Sequence, residues 1–284
     1  MSAVIDVHPH VISGDLERYP RDPLGGSQSD WSRERPVSAE AMIAAMDEAG
    51  VSRSALVQAA TCYGYDNRYV ADAVARFPAR FAGVFSVDVF RPDARERIAH
   101  WIGRGLHGLR IFIAGHTMAS KDSRLDDPRS DPAWEIAGEL GIAVSVQLRA
   151  AGIPQLEAML ARHPRVRVLL DHMARPQTED GPPYAGARSL FALSRHPNLF
   201  LKLTTHNVRE AGKGKARPES FFARVAAEFG ASRIAWGSNY PASEGSLAGL
   251  LAEARAALAP LAEAERDWIF RRTALSLYPA LAGA

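Results

Sequence analysis

The stretch Ala3-Val4-Ile5-Asp6-Val7-His8-Pro9-His10 decides between two folds. Residues 3–7 form a short apolar, β-branched run, which reads as a strand, and it ends directly in His-Pro-His. An open doubly wound sheet would carry a Gly-x-Gly-x-x-Gly turn at this point, and this chain does not. Working outward, runs of the same kind return at 54–58, 82–87, 107–112, 142–147, 166–170, 199–203 and 233–236, eight in all. Between them lie stretches of helical period at 39–49, 67–77, 94–104, 133–140, 154–162, 187–195, 219–229 and 247–258, and an amphipathic stretch over 263–278 closes the chain. Strict alternation of strand and helix calls for parallel strands joined by crossovers. Eight such units make an α/β fold, a (β/α)8 TIM barrel, with the open sheet as the alternative. No linker or low-complexity segment divides the chain, so residues 1–284 are expected to be a single domain.

Local chemistry marks the helix ends. Ser38 stands where an N-cap belongs, while Gly50, Gly105, Gly141 and Gly230 follow last turns, where a left-handed residue is needed. Three connections, 11–37, 113–132 and 204–218, are longer than plain connectors and leave the C-terminal ends of strands. That end of a barrel carries the chemistry. The first of the three holds Tyr19, Trp31 and Arg35 among Gly, Ser and Pro, and reads as a lid or pocket rim.

The chain has 284 residues, 47% of them apolar, with 34 basic against 32 acidic side chains. A net charge of +2 removes the electrostatic footprint of a nucleic-acid binder. A single cysteine, Cys62, excludes an internal disulfide framework and Cys-rich metal sites. No run of about 18 apolar residues offers a membrane span. A cytoplasmic protein is expected, with a small molecule as its partner, no nucleic acid and no membrane; association into a homo-oligomer is left open.

Most of the nine histidines have ordinary explanations: His100 lies within a helix, and His163 and His196 stand at helix ends. Four differ. His8 and His10, two apart on an extended chain, project to the same side. His172 follows the sixth strand and His206 the seventh, places that are neighbours across a barrel mouth.

These residues resemble a family. His8-Pro9-His10, Asp171-His172-Met173-Ala174-Arg175-Pro176 and Trp236-Gly237-Ser238-Asn239-Tyr240-Pro241, in that order, look like the amidohydrolase superfamily with its metal-dependent-hydrolase-like barrel. More narrowly they resemble the amidohydrolase-related (amidohydrolase 2) group that contains 2-pyrone-4,6-dicarboxylate lactonase and, more distantly, metal-assisted decarboxylases. The resemblance implies a lactonase-like hydrolase acting on a carbonyl compound that bears a carboxylate. The departures are instructive. The fourth and fifth strands end near Arg110 and Gln147, where metal-dependent members place metal ligands, so a binuclear centre is not expected. Asn239 stands where the family has the aspartate that takes a proton from water, and an amide is no general base.

The expected catalytic set is His8, His10, His172 and Asn239, with Arg110, Gln147, Gln58, His206 and Tyr240 around the substrate. For cofactors, either none is required, or one divalent cation, zinc before others, sits on His8, His10 and His172. The general base stays open between His206 and Asp66, although Asp66 before a helix also reads as a cap. Arg110 is either a carboxylate clamp or half of an ion pair closing the barrel top. Lys202, inside the seventh strand, points either to the lumen or to the helices and is given a structural role. Tyr63 and Tyr65 are candidate pocket walls. The alternative functions are a metal-assisted decarboxylase and, because Asn239 replaces the usual Asp, a non-catalytic barrel that binds a small acid.

Overall fold

The computed structural model describes residues 3–112 and 124–283. Eight strands, β1 Val4–Asp6, β2 Val51–Val57, β3 Phe81–Ser86, β4 Gly108–Phe112, β5 Ala143–Gln147, β6 Val168–Leu170, β7 Leu199–Thr204 and β8 Ile234–Gly237, stand in sequence order in one sheet. Each pairs parallel with the next. Val7 donates its N–H to Trp236 O at 3.1 Å and His10 to Tyr240 O at 2.8 Å, which brings β1 against β8 and nearly closes the barrel. Gly237 makes that seam possible, because a Cβ there would lie 2.5 Å from the Cβ of His8.

All eight expected strands and the helices between them are present. Ser38 caps the helix Ala39–Ala49 by accepting from Ala41 N, and Gly50 and Gly141 end their helices with φ of 71° and 64°. Side-chain alternation along the strands separates two apolar layers. Leu109, Ile111, Val144, Val146, Leu201 and Leu203 pack with the helices in the main cluster. Ala82, Val84, Ala143, Leu169 and Ala235 form a second cluster with Leu277, Tyr278 and Leu281 from the chain's end. The Tyr278 ring presses on Gly108, where a Cβ would be 2.9 Å away, and fills the lumen floor. The same alternation puts Arg110, Ser145, Gln147, Lys202 and Thr204 on the lumen side above that floor.

Two of the long connections carry structure that the sequence reading did not assign. Residues 204–218 contain the helix Thr205–Glu210, started by a capping box in which Thr204 and Asn207 exchange hydrogen bonds. Residues 11–37 contain the short helix Asp30–Glu34 and are pinned to the end of β8, with Arg35 donating to Pro241 O and Ala242 O. Residues 113–123 of the third connection, including His116, lie outside the described residues. Among the described residues no helix is long and apolar enough to cross a membrane.

Candidate active site

The mouth at the C-terminal ends of the strands is a cavity of about 870 Å³, lined among others by His10, Arg110, Gln147, His172, His206 and Asn239. His8 lies just beneath, fully buried, with its ring centroid 4.9 Å from those of both His10 and His172. The imidazoles from the first and sixth strand ends therefore meet at one place.

Each ring is held by a partner that fixes which nitrogen carries the proton. His10 Nδ1 is 2.8 Å from Val57 O, and a carbonyl oxygen only accepts, so Nδ1 donates and Nε2 keeps its lone pair. His172 Nδ1 is 2.8 Å from Thr204 Oγ1, whose hydroxyl donates to Asn207 Oδ1 at 3.0 Å, so Nε2 of His172 is again the lone-pair nitrogen. His8 Nδ1 is 2.8 Å from Lys202 Nζ, and its Nε2 is buried with no hydrogen-bond partner among the described residues. Burial holds the His10 pKa down to about 3, with Arg110 adding to the effect. Burial likewise keeps His8 and His172 well below the ordinary histidine value, Lys202 and Arg110 reinforcing this for His8, while Asp171 opposes it for His172.

Beneath the rings lies a buried charge cluster. Asp171 forms an ion pair with Lys202, Nζ to Oδ1 at 2.7 Å, and accepts Arg110 Nε at 2.8 Å on Oδ2. Burial works to raise the Asp171 pKa, but Lys202 first and Arg110 next hold the carboxyl well below its usual range. Burial lowers Lys202 to about 8, with Asp171 opposing. Asp6 accepts from His8 N and Ser238 N, both at 2.9 Å, across the seam between β1 and β8, and burial lifts it to about 6.

His172 is presented by an unusual backbone. From His172 through Arg175, four non-glycine residues in a row have φ between 51° and 58°. Such residues cost roughly 1–2 kcal/mol each. Asn207 Nδ2 donates to His172 O at 2.7 Å while its Oδ1 takes Thr204 N at 3.1 Å, so one side chain clamps both the turn and the partner of the His172 ring.

Several expectations need correcting. Gln58 is turned away from the mouth; its Nε2 donates to Gly64 O and Asp66 O at 3.0 Å each and holds the loop after β2. Tyr240 packs against the apolar layer under the helices, and Glu48 is the charge it meets, so it is a wall of the outer layer rather than a substrate contact. Both lie beyond their strands, which end at Val57 and Gly237, where the regular alternation has stopped. Tyr63 OH is taken by Ser13 N and Arg21, and Tyr65 is exposed. Asp66 serves Arg68, accepting its N–H at 2.9 Å and its guanidinium just before the helix Arg68–Arg76, whose N-cap position is Asn67. Arg110 takes the ion-pair alternative. His206 does reach the mouth, its ring 6.1 Å from that of His172. Sequence reasoning gave no task to Asp171, Thr204 or Asn207 and gave Arg175, before Pro176, only that of fixing its loop; the one visible signal was a lysine between two leucines in a strand. Arg175 lines the mouth, and its buried Nε has no hydrogen-bond partner among the described residues.

Among the described residues the donors do not fit a metal ion. No group of three or more His, Cys, Asp or Glu among the described residues is arranged to hold one. An ammonium only donates, so Lys202 makes His8 Nδ1 the acceptor and places a proton on Nε2, which then cannot ligate. Among the described residues His10 and His172 remain without an anionic oxygen, since Asp171 is spent on two cations and position 239 is an amide.

Comparison with known proteins adds to this. The family model for amidohydrolases matches residues 5–280. An L-fucono-1,5-lactonase of Burkholderia ambifaria is 31% identical over 249 residues, covering 86% of this chain and 82% of that one. A 2-pyrone-4,6-dicarboxylate hydrolase of Comamonas testosteroni is 27% identical over 253 residues, covering 84% and 77%. Among solved structures, an amidohydrolase from Burkholderia multivorans with bound zinc superposes with a TM-score of 0.78 at 20% identity, covering 98% of this chain and 99% of that one.

Proposed function

The chain belongs to the amidohydrolase family, and from that membership and the geometry of the mouth we propose that it opens a lactone bearing a carboxylate by attack of water. It is a hydrolase, like the curated relatives it matches. The observation that carries the reading is the convergence of two lone-pair imidazole nitrogens, on His10 and His172, with a cationic floor in one mouth.

His172 Nε2 takes a proton from water as the oxygen adds to the carbonyl carbon, and its Nδ1–H···Thr204···Asn207 chain keeps the ring in place. His10 orders the substrate beside it. Charge developing on the carbonyl oxygen meets the Arg110 side of the floor, a preorganised donor in a water-poor site. The ring C–O bond then breaks and His172 returns the proton to the leaving oxygen, giving a hydroxy acid. Asn239, whose Nδ2 donates to Ser243 Oγ at 3.1 Å, positions the water and takes no proton. The substrate carboxylate docks on Arg175, whose guanidinium matches it in shape, because Arg110 is already engaged by Asp171. Gln147, with an unpartnered buried Oε1, and His206 line the same space. The reading takes residues 1–284 as one cytoplasmic domain that works without a resident metal.

A pH-stat assay tests it. Purified protein is offered sugar lactones and unsaturated lactones with and without a carboxylate. Release of one acid per ring opened, faster with the carboxylate-bearing set, is expected. Inertness of the folded protein across the panel contradicts the reading.

A further inference from the structure

Lys202 has no part in the scheme above, yet it is fully buried in the lumen, a place where an ammonium is costly without a purpose or a partner. It stands between two groups that would otherwise face each other. His8 Nδ1 is 3.8 Å from Asp171 Oδ1, and Lys202 Nζ lies 2.8 Å from the first and 2.7 Å from the second. Without the lysine, the carboxylate behind the ring would draw the imidazole proton to Nδ1 and leave a lone pair on Nε2. That is the arrangement in which a carboxylate-backed histidine ligates metal. With the lysine, the polarity of the ring is reversed: Nδ1 accepts, and Nε2 carries the hydrogen. The absence of any partner for His8 Nε2 among the described residues fits a donor waiting for a ligand oxygen.

We propose that Lys202 is a positioning residue that locks His8 as its Nε2–H tautomer, making His8 a hydrogen-bond donor at the floor of the mouth and removing it from the set of metal ligands. The inference deepens the lactone-opening reading and rests on it, adding the His8 donor to the Arg110 side of the floor that the carbonyl oxygen meets. Its test uses no turnover, so either can fail alone.

Histidine-selective 15N labelling reads the tautomer directly, with the His8 signals identified by their loss in His8→Gln. In the wild type, Nδ1 is expected at the lone-pair position and Nε2 at the N–H position. In Lys202→Met the two exchange. Equilibrium dialysis against zinc supplies the second arm. The variant should bind one zinc at least tenfold more tightly than the wild type, and the gain should vanish in Lys202→Met/His10→Gln. A wild-type His8 protonated on Nδ1 overturns the proposal, and this holds even if the variant does not fold. An unchanged His8 tautomer in a Lys202→Met protein with native circular dichroism also overturns it, and equal zinc affinity in the two proteins overturns the metal-excluding half.

Discussion

His8 and His10 stand two residues apart with their rings 4.9 Å from each other, yet they sit in opposite surroundings. The ring of His10 leans on a backbone carbonyl and lines the open mouth, next to Trp31 at 5.1 Å. The ring of His8 leans on a lysine and lies over a buried cluster of two cations and one carboxylate. One partner leaves a lone pair facing the substrate space, and the other leaves a proton. The lesson is that an His-x-His pair states which side two rings share, while the atoms behind each ring decide what it does there.

The largest break falls on the lone-pair side. Replacing His172 with Gln keeps a polar side chain but removes the proton acceptor, and kcat on a lactone that the wild type opens should fall by about 10²- to 10⁴-fold in steady-state assays. A loss confined to KM would mean that His172 only binds.

The second break falls on the floor. Asp171→Asn leaves Lys202 and Arg110 buried without the carboxylate they pair with, and removing one partner of a buried ion pair costs about 3–5 kcal/mol. Urea unfolding should show a drop of that order. A change below about 1 kcal/mol would mean that the cluster is solvated and contributes little.

The alternation of runs and the helix-end residues made the strands and helices legible, because period and capping are local properties. The meeting of His8, His10 and His172 followed from topology: once eight parallel units close, the ends of the first and sixth strands share a mouth. The charge cluster was not legible. Arg110 lies 61 residues from Asp171 and Lys202 lies 194 from His8, and a one-residue change in how β7 is read would turn Lys202 from the lumen to the helices. Gln58 and Tyr240 were misjudged because both lie past the last strand residue, Val57 and Gly237, where a side chain follows its loop. The helix Thr205–Glu210 escaped notice for a different reason. Its capping box uses Asn in place of the usual Glu or Gln.

A smaller effect sharpens the contrast further. Burial depresses the pKa of His10 and His172, so both stay neutral, and able to accept, well below the ordinary histidine value of about 6.5. The sign follows: lowering pH protonates these rings late, so neither ring should give kcat/KM an acid limb near pH 6.5, and the buried groups that titrate in the assayed range are Asp6, lifted to about 6, and Lys202, lowered to about 8. An acid limb near pH 6.5 that persists in Asp6→Asn would place the working base on an ordinary, solvated histidine instead.

The most direct measurement of whether an imidazole performs the proton transfer is the rate of lactone opening by the wild type beside Asn239→Asp. The account predicts that the wild type is active and that the added carboxylate changes kcat by less than about tenfold, since His172 already serves as base. Activity in Asn239→Asp alone, with an inert but folded wild type that still binds the lactone, would contradict it and make this chain a binding protein on a catalytic scaffold.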